Sequence, residues 1–331
     1  MKLHPAAKLH PKLGRKNVEM IATRDGYGKG IVEAGKKDPH VVVLCCDLTE
    51  STRSHWFAET FPERFVEVGV AEQNMAGMAA GMALNGKVPF ISSYAVFSPG
   101  RNWDQVRVSI CYNRANVKVA GAHAGISVGP DGATHQALED IAIARVLPNM
   151  TVIVPCDAEE TRKATLAAAA RRGPVYIRFG REKTALMTTA QTPFTIGKVQ
   201  LFKDGKDVTL LATGSLLYQT VLAAQELQAE GIDAQVVNCH TIKPFDDKGV
   251  LALVRKTGAV VTVEEHQIHG GLRAAVAESL AAQFPVPVRA VGMPDAFGES
   301  GTPTELLEKY GMTVEAIVKQ AREAIRLKKL K

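Results

Sequence analysis

Residues 64–84, RFVEVGVAEQNMAGMAAGMAL, carry the pattern that decides the fold of this chain. Residues 64–70 are mostly apolar and β-branched or aromatic, as in a buried strand, and the Ala, Met and Gly that follow recur at helical spacing. Glu72 lies where the predicted strand ends and the helix begins, a position where the helix dipole favours any acid. Because Gly77, Gly81 and the alanines leave almost no side chain on any face, we expect other backbone to pack tightly against this helix at a subunit interface.

The alternation of strand and helix extends through the first half of the chain. A helix is predicted for Asn17–Lys37, and the apolar run Val41–Cys46 predicts a strand that is buried on both faces. The later predicted strands are Arg64–Val70, Val88–Ser92, Val117–Gly121, Thr151–Pro155 and Val175–Phe179, and the later helices are Trp103–Tyr112, Ala137–Arg145 and Ala158–Arg171. This alternation predicts a parallel sheet with helices on both faces.

Periodicity is lost over residues 184–195, and the alternation then restarts in a smaller unit. Its predicted strands are Val208–Ala212, Ala234–Cys239, Ala259–Val263 and Val286–Val291, with helices Leu217–Gln228 and Gly270–Gln283. We therefore predict two doubly wound α/β domains, at residues 17–183 and 196–331, the first with a mainly parallel sheet. Residues 184–195 are the predicted linker, and residues 1–16 are a predicted basic N-terminal tail.

The net charge of +6 is concentrated at the two ends of the chain. These ends hold nine basic residues and no acid, whereas the remainder has 31 basic and 34 acidic residues. A mildly negative body argues against a nucleic-acid-binding domain. The nine terminal residues are Lys2, Lys8, Lys12, Arg15, Lys16, Arg326, Lys328, Lys329 and Lys331.

The cysteine spacing and the apolar runs indicate a cytoplasmic protein. The cysteines lie either adjacent or far apart, a usage typical of buried, reduced residues rather than metal ligands. No apolar run reaches about 18 residues, so no membrane span is predicted. The basic start is not followed by an apolar core of signal-peptide length. The five cysteines are Cys45, Cys46, Cys111, Cys156 and Cys239.

Polar side chains follow five different predicted strands of the first domain. In open parallel sheets, ligands bind beyond the carboxyl ends of the strands. Because each of these residues lies at or just after such an end, we expect them to line one common rim and form a site. The residues are Asp47, Glu72, Tyr94, His123 and Arg181.

The loop at residues 121–136, GAHAGISVGPDGATHQ, is the densest in chemically capable residues. Its glycines permit positive φ angles and a close approach of backbone to a ligand. His123, Asp131 and His135 are suited to proton transfer and hydroxyl recognition. Their spacing matches no usual zinc pattern, so no metal site is predicted in this chain.

Three segments together resemble the transketolase family of thiamine-diphosphate enzymes. They are residues 69–74 (GVAEQN), His123 with residues 131–136 (DGATHQ), and residues 148–150 (PNM). The resemblance covers about residues 17–325 and corresponds to the C-terminal half of a full-length enzyme, a pyrimidine-binding domain followed by the transketolase C-terminal domain.

The Gly-Asp-Gly segment of the family's diphosphate-binding domain does not occur in the sequence. The resemblance therefore implies the second subunit of a split transketolase, which transfers a two-carbon ketol unit between sugar phosphates, as in the pentose phosphate pathway. It also implies thiamine diphosphate as the cofactor, Mg²⁺ held by an N-terminal partner subunit, and an assembly of the α2β2 type.

The resemblance implies a role for each candidate residue at the cofactor. Glu72 matches the glutamate that hydrogen-bonds the aminopyrimidine ring and so activates the thiazolium carbon. We expect desolvation to favour its protonated form once the cofactor excludes water. Tyr94 and Phe97 match aromatic residues that sandwich the pyrimidine, although residues 98–100 depart from the full-length pattern. Asp47 matches a carboxylate beside the cofactor.

Further residues match the family's substrate contacts. His135 matches a histidine close to the reacting carbons, and Asp131 matches the residue that recognises a substrate hydroxyl. The matches to the phosphate contacts are Arg24, Ser51, His123 and Arg181, which would give a dianion adequate donors. Arg178 lies three residues before Arg181 and is an alternative phosphate ligand.

The segment at residues 263–272, VEEHQIHGGL, also resembles the family. Its glutamates and histidines have catalytic side chains, but in this family the C-terminal domain binds no cofactor and chiefly supports assembly. We therefore expect these residues to cap a helix and line an interface.

Three alternatives to a transketolase subunit stay open. The β subunit of a 2-oxoacid dehydrogenase shares the two-domain layout, but its pattern differs through the DGATHQ loop. A deoxyxylulose-phosphate synthase has an arginine-containing segment in place of His123. A non-catalytic scaffold subunit is disfavoured by the joint presence of Glu72, Asp131, His135 and Arg181.

Overall fold

The computed structural model describes residues 2–15 and 17–330, so Met1 and Lys16 of the predicted tail, with Lys331, lie outside the described residues. The first eight strands are β1 (Met20–Ala22), β2 (Val41–Cys45), β3 (Phe65–Glu67), β4 (Val88–Tyr94), β5 (Lys118–Ala122), β6 (Thr151–Ile153), β7 (Val175–Arg178) and β8 (Lys183–Ala185). The first helices are α1 (Thr23–Lys37), α2 (Thr49–Thr52), α3 (His55–Thr60), α4 (Glu72–Leu84), α5 (Trp103–Gln105, continued as a π-helix over Val106–Tyr112), α6 (Asp140–Arg145) and α7 (Ala158–Ala170).

The second half of the chain adds six strands and five α-helices within the described residues. The strands are β9 (Gln200–Lys203), β10 (Val208–Ala212), β11 (Ala234–Asn238), β12 (Thr241–Lys243), β13 (Val260–Gln267) and β14 (Val288–Met293). The helices are α8 (Leu217–Ala229), α9 (Asp247–Thr257), α10 (Leu272–Ala281), α11 (Pro303–Lys309) and α12 (Val314–Lys328). Short 3₁₀ segments cover Pro5–Ala7, Pro62–Arg64, Ile126–Asp131 and Gly214–Leu216.

The larger sheet has the strand order β12-β6-β7-β5-β4-β2-β3. All neighbours in it pair in parallel except β12, which is antiparallel to β6. Every residue of β2, β4, β5 and β7 is buried, as expected for parallel strands covered on both faces. The predicted fold class, a mainly parallel α/β domain followed by a smaller α/β domain, is confirmed.

The smaller sheet has the order β14-β13-β10-β11-β9, parallel except for the antiparallel edge strand β9. Helix α10 packs beside α9 and against β13, and α12 packs beside α8 and against β13 and β14.

Among the described residues, no helix is both long enough and apolar enough to cross a lipid bilayer.

Some predicted elements were wrong in extent or were missed. The predicted helix Asn17–Lys37 begins only at Thr23, because Met20–Ala22 form β1 and pair antiparallel with β8. Strand β8 starts at Lys183, the last residue of the predicted first domain, and extends into the segment predicted as a linker. The missed elements are α2, α3, β9, β12, α9, α11 and α12.

The basic N-terminal segment, predicted as a tail, is docked on the rest of the protein. The His4 N–H donates to the Phe202 carbonyl at 2.8 Å, and the His10 N–H donates to the Met187 carbonyl at the same distance. Leu13 is buried in the core cluster of the second domain. Its apolar residues therefore anchor the segment, while Lys2, Lys8 and Lys12 stay at the surface.

One face of α4 is open. Its buried face includes Glu72 and Met75, but Gln73, Gly77, Gly81 and Leu84 are exposed. A Cβ atom built at Gly77 or Gly81 would meet no atom within 4 Å in the part of the chain that the structure describes. The close backbone contact expected for these glycines therefore does not occur within the described residues, and the subunit interface on this face stays a prediction.

Candidate active site

The candidate residues lie along the carboxyl edge of the larger sheet. Asp47 follows β2, Glu72 follows β3 as the first residue of α4, and Tyr94 is the last residue of β4. His123 follows β5, and Arg181 follows β7. Because these five strands are mutually parallel, their carboxyl ends face the same side of the molecule.

The Glu72 carboxylate is buried, with only 1% of the residue exposed, and it accepts two hydrogen bonds. Ser93 Oγ donates to Oε1 at 3.1 Å, and Arg101 Nη1 forms an ion pair with Oε2 at 3.0 Å. Asn102 Nδ2 donates to the Glu72 carbonyl at 3.2 Å. A buried carboxylate needs such donors, but no local pattern in the sequence indicates which residues supply them.

Arg101 was not among the predicted site residues. Its side chain is 48% exposed at the rim, and its guanidinium lies over the ring of Phe97, 4.7 Å from the ring centre. A planar group with N–H donors is thus stacked on an aromatic ring while it donates to Glu72.

An aromatic cluster joins the candidate residues to one another. Tyr94 stacks on His123 with ring centres 4.2 Å apart, and His135 meets Phe97 edge-on at 5.4 Å. The rings of Tyr94 and Phe97 are nearly parallel, with centres 6.1 Å apart. A third ring between them needs about 7 Å, twice the usual carbon contact distance. The two rings therefore do not form a ready-made sandwich.

Arg24, Ser51 and His123 meet beside this cluster. Arg24 Nη1 lies 3.4 Å from His123 Nε2 and donates to the Ser51 carbonyl at 3.2 Å, and His123 Nε2 is 3.1 Å from the same carbonyl. His123 has a φ of 52°, in the sparsely populated left-handed region. Within residues 2–15 and 17–330, the buried Arg24 Nε and His123 Nδ1 have no hydrogen-bond partner. Unpaired buried nitrogens at a rim point to a ligand.

Electrostatics keep His123 neutral. Burial, followed by the neighbouring Arg24 guanidinium, lowers the pKa of His123 to about 3. The pKa of Arg24 is also lowered, by burial and then by Arg53, but an arginine stays charged at neutral pH. The positive charge in this corner therefore belongs to the arginines.

Arg181 and Arg178 have different surroundings. Arg181 is partly exposed, and its Nη1 donates to the Val128 carbonyl at 3.2 Å and to Asp131 Oδ1 at 3.3 Å. The Arg178 side chain is only 6% exposed and pairs with Asp140 at 2.8 Å. It also donates to the Glu265 carbonyl at 2.8 Å. Arg178 therefore belongs to the packing between the two domains, and Arg181 is the arginine at the rim.

Asp47 stands apart from the other candidates. It is exposed, with a φ of 57°, and its N–H donates to Glu67 Oε1 at 2.7 Å. The same carboxylate accepts from the Gly69 N–H at 2.9 Å and from Thr49 Oγ1 at 3.3 Å. Glu67, which was not predicted, thus fixes this turn. Within the described part of the chain, Asp47 makes no hydrogen bond or ion pair with a residue of the aromatic cluster.

Glu264 in the second domain caps a helix, as predicted. Its two carboxylate oxygens accept the N–H groups of Leu272 and Arg273 at 2.6 and 2.8 Å, at the start of α10. Burial raises the pKa of Glu264 to about 7. No group of three or more potential metal ligands occurs among the residues that the structure describes.

Comparisons with known proteins identify the family of both domains. Residues 19–186 match the transketolase pyrimidine-binding domain, and residues 197–317 match the transketolase C-terminal domain. The 6-deoxy-6-sulfo-D-fructose transketolase subunit SqwH of Clostridium sp. strain MSTE9 is 44% identical over 91% of this chain and 93% of its own length. A subunit of the apulose-4-phosphate transketolase of Phocaeicola vulgatus is 37% identical over 93% of this chain and 98% of its own length.

A solved structure of a split-gene transketolase, an inactive beta4 tetramer, superposes with a TM-score of 0.88. It is 49% identical in sequence, and the match covers 93% of this chain and 99% of that one. Both family domains and both subunit-length relatives thus agree with the resemblance inferred from the motifs. The chain belongs to the transketolase family and corresponds to the C-terminal subunit of a split transketolase.

Proposed function

We propose that this chain is the C-terminal subunit of a thiamine-diphosphate-dependent transketolase that moves a two-carbon ketol unit from a ketose phosphate to an aldose phosphate. The observation that carries the proposal is the buried Glu72 carboxylate at the sheet edge. It pairs with the Arg101 guanidinium, which lies over the ring of Phe97. A partner subunit supplies the diphosphate-binding domain and the Mg²⁺ ligands, and the complete enzyme is cytoplasmic.

The residues around Glu72 fit the aminopyrimidine end of the cofactor. Glu72 and Phe97, which Arg101 contacts in this structure, would hold such a ring by a hydrogen bond and by stacking. When bound, thiamine diphosphate supplies the carbon nucleophile of ketol transfer. Glu72 holds a proton at the ring nitrogen, Phe97 and Tyr94 orient the ring, and Asp47 lies at the margin of the site.

The remaining candidate residues bind the sugar phosphate and transfer protons to or from it. His135 lies against Phe97 and moves a proton at the reacting carbons, and Asp131 accepts a hydrogen bond from a substrate hydroxyl. Arg24, Arg181 and the neutral His123 bind the phosphate, together with Ser51. The unpaired Arg24 Nε and His123 Nδ1 support this assignment, because a phosphate oxygen would satisfy Arg24 Nε and also His123 Nδ1 in the tautomer that carries its proton there.

Replacing Arg181 with Ala is expected to raise the Michaelis constant for phosphorylated sugars. The loss of one charged hydrogen bond costs roughly 1.5–3 kcal/mol, which is about tenfold to 150-fold. The measurement is steady-state kinetics of the assembled enzyme with phosphorylated and with unphosphorylated donors. The Michaelis constant for unphosphorylated donors should hardly change. Arg172→Ala, a change at an exposed arginine outside the site, is the matched control. An equal loss with both donor classes would make Arg181 a structural residue.

Phosphate affinity should not be lost between pH 6 and 8. Because the pKa of His123 lies near 3, this residue is already neutral at pH 6 and has no charge to lose. A phosphate ester gains its second charge near pH 6, so binding to the two arginines should strengthen or stay level. The measurement is the ratio of Michaelis constants for phosphorylated and unphosphorylated donors across this range. A rise in that ratio with an apparent pKa near 6.5 would show that a histidine cation contributes to binding.

The relatives named above act on a sulfonated fructose derivative and on apulose 4-phosphate, so the donor must be found by assay. The deciding experiment combines the purified chain with its N-terminal partner, thiamine diphosphate and Mg²⁺, and offers pentose phosphates, apulose 4-phosphate and 6-deoxy-6-sulfofructose as donors. Transfer of a ketol unit to an aldose phosphate supports the proposal. No transfer from any donor by a fully assembled pair would favour a scaffold role.

A further inference from the structure

A carboxylate of the second domain reaches into the first domain behind the candidate site. Glu265 lies on β13 and is 4% exposed. Its Oε1 accepts the Ser127 N–H at 2.7 Å, and its Oε2 accepts a hydrogen bond from Ser215 Oγ at 2.9 Å. Ser127 belongs to the glycine-rich loop, residues 125–136, which carries Asp131 and His135.

The backbone of the glycine-rich loop is shaped around this carboxylate. Gly125 has a φ of 90°, and a Cβ at this position would lie 2.2 Å from Glu265 Oε1. Only glycine combines that backbone angle with such an approach. Gly132 has a φ of 75°, and its Cβ would lie 2.7 Å from Ser300 Oγ, also in the second domain. The loop therefore packs closely against the second domain at two separate points, Gly125 and Gly132.

The far end of the loop is tied to the second domain as well. Gln136 Nε2 donates to the Glu299 carbonyl at 2.9 Å and to the Ile126 carbonyl at 3.2 Å. These bonds connect both ends of the loop to each other and to the segment before α11. Glu265 is the charged member of this set, and hydrogen bonds to charged groups are the stronger ones.

The outer side of the same loop faces the rim. Arg181 donates to the Val128 carbonyl and to Asp131, so its guanidinium rests on the residues that follow Ser127. We propose that Glu265 is a positioning residue, which fixes the glycine-rich loop and thereby places Asp131 and Arg181 for the sugar phosphate. This inference rests on the proposed function. It gives the C-terminal domain a share in substrate recognition that the sequence resemblance did not imply.

Glu265→Ala leaves the buried Ser127 N–H without its acceptor, so the loop should open more often. Hydrogen–deuterium exchange of the purified chain should show faster exchange over residues 125–136, with little change elsewhere. Glu265→Gln should restore slow exchange, because its amide oxygen can accept from Ser127 while its NH₂ group donates to Ser215. Ser215→Ala removes only the second bond and should change the loop much less.

Kinetics of the assembled enzyme supply the second readout. Glu265→Ala should raise the Michaelis constant for the phosphorylated donor by about tenfold to 150-fold, with a smaller change in kcat. Glu265→Gln should stay close to wild type. Glu308→Gln, at an exposed glutamate on α11, is the matched control. If the Ala variant does not fold, Glu265→Asp, whose carboxylate is one methylene too short to reach Ser127, takes its place.

The two readouts separate this inference from the proposed function. An inactive wild-type assembly would overturn the proposed function. Hydrogen–deuterium exchange of the glycine-rich loop in the isolated chain would still test whether Glu265 fixes that loop. Unchanged exchange at residues 125–136 in the Ala variant would overturn the inference, and so would an equal increase in exchange throughout the chain. A fall in kcat with an unchanged Michaelis constant would also overturn it.

Discussion

Replacing Glu72 with Gln is expected to lower turnover of the assembled enzyme by about 10²- to 10⁴-fold, the range typical of a lost proton-transfer group. An amide cannot exchange a proton with the pyrimidine nitrogen as a carboxyl group does. The fold should survive, because Gln has the same shape and its oxygen can still accept from Ser93 or Arg101. Arg101 is half exposed, so water can solvate the charge that loses its partner. The direct measurement is hydrogen exchange at the thiazolium C2 atom of the bound cofactor.

Glu308→Gln provides the control for this experiment, because Glu308 is exposed on α11 in the second domain. It should leave both C2 exchange and turnover unchanged. Cofactor affinity should be measured in parallel, so that slow exchange is not confused with an empty site. A wild-type rate of C2 exchange in the Glu72 variant would contradict the role assigned to this residue.

The second large effect concerns dependence on a partner. The chain alone is expected to show no ketol transfer and no saturable affinity for thiamine diphosphate with Mg²⁺ by calorimetry. The cofactor's diphosphate needs a magnesium ion, and magnesium needs an octahedron of oxygen ligands. Among the described residues, no group of three or more His, Cys, Asp or Glu side chains could hold a metal ion. Adding the N-terminal subunit should produce an assembly with two copies of each chain. This assembly should bind thiamine diphosphate saturably and carry out ketol transfer.

A substitution on the open face of α4 tests where the subunits meet. Gly77→Gln should leave this chain folded, because the added side chain meets no atom of the described residues. It should nevertheless weaken assembly, measured by sedimentation, since the face borders exposed apolar residues such as Val70 and Leu84. Cofactor binding or turnover by the isolated wild-type chain would contradict the split-enzyme proposal.

The sequence predicted the buried strands and the rim because both follow from local pattern. Strand β2 is a continuous apolar run, and Glu72 marks the switch from strand to helix in the sequence itself. By contrast, β1 and β12 have three residues each and exist only through their partners β8 and β6. Residues that depend on distant contacts were also missed. Arg101 is 29 positions from Glu72, and Glu265 is 138 positions from Ser127, distances that no spacing rule covers.

The exchange of short segments between the two domains limits how the enzyme can move. Strand β12 leaves the second domain to pair with β6 of the first, and Lys243 at its end donates to the carbonyls of Arg145 and Leu147 at 2.8 and 2.6 Å. The N-terminal segment lies on the second domain in return. A hinge between the domains would break these backbone bonds and split a shared apolar core. Opening of the candidate site would therefore require loop motion rather than a hinge between the two domains.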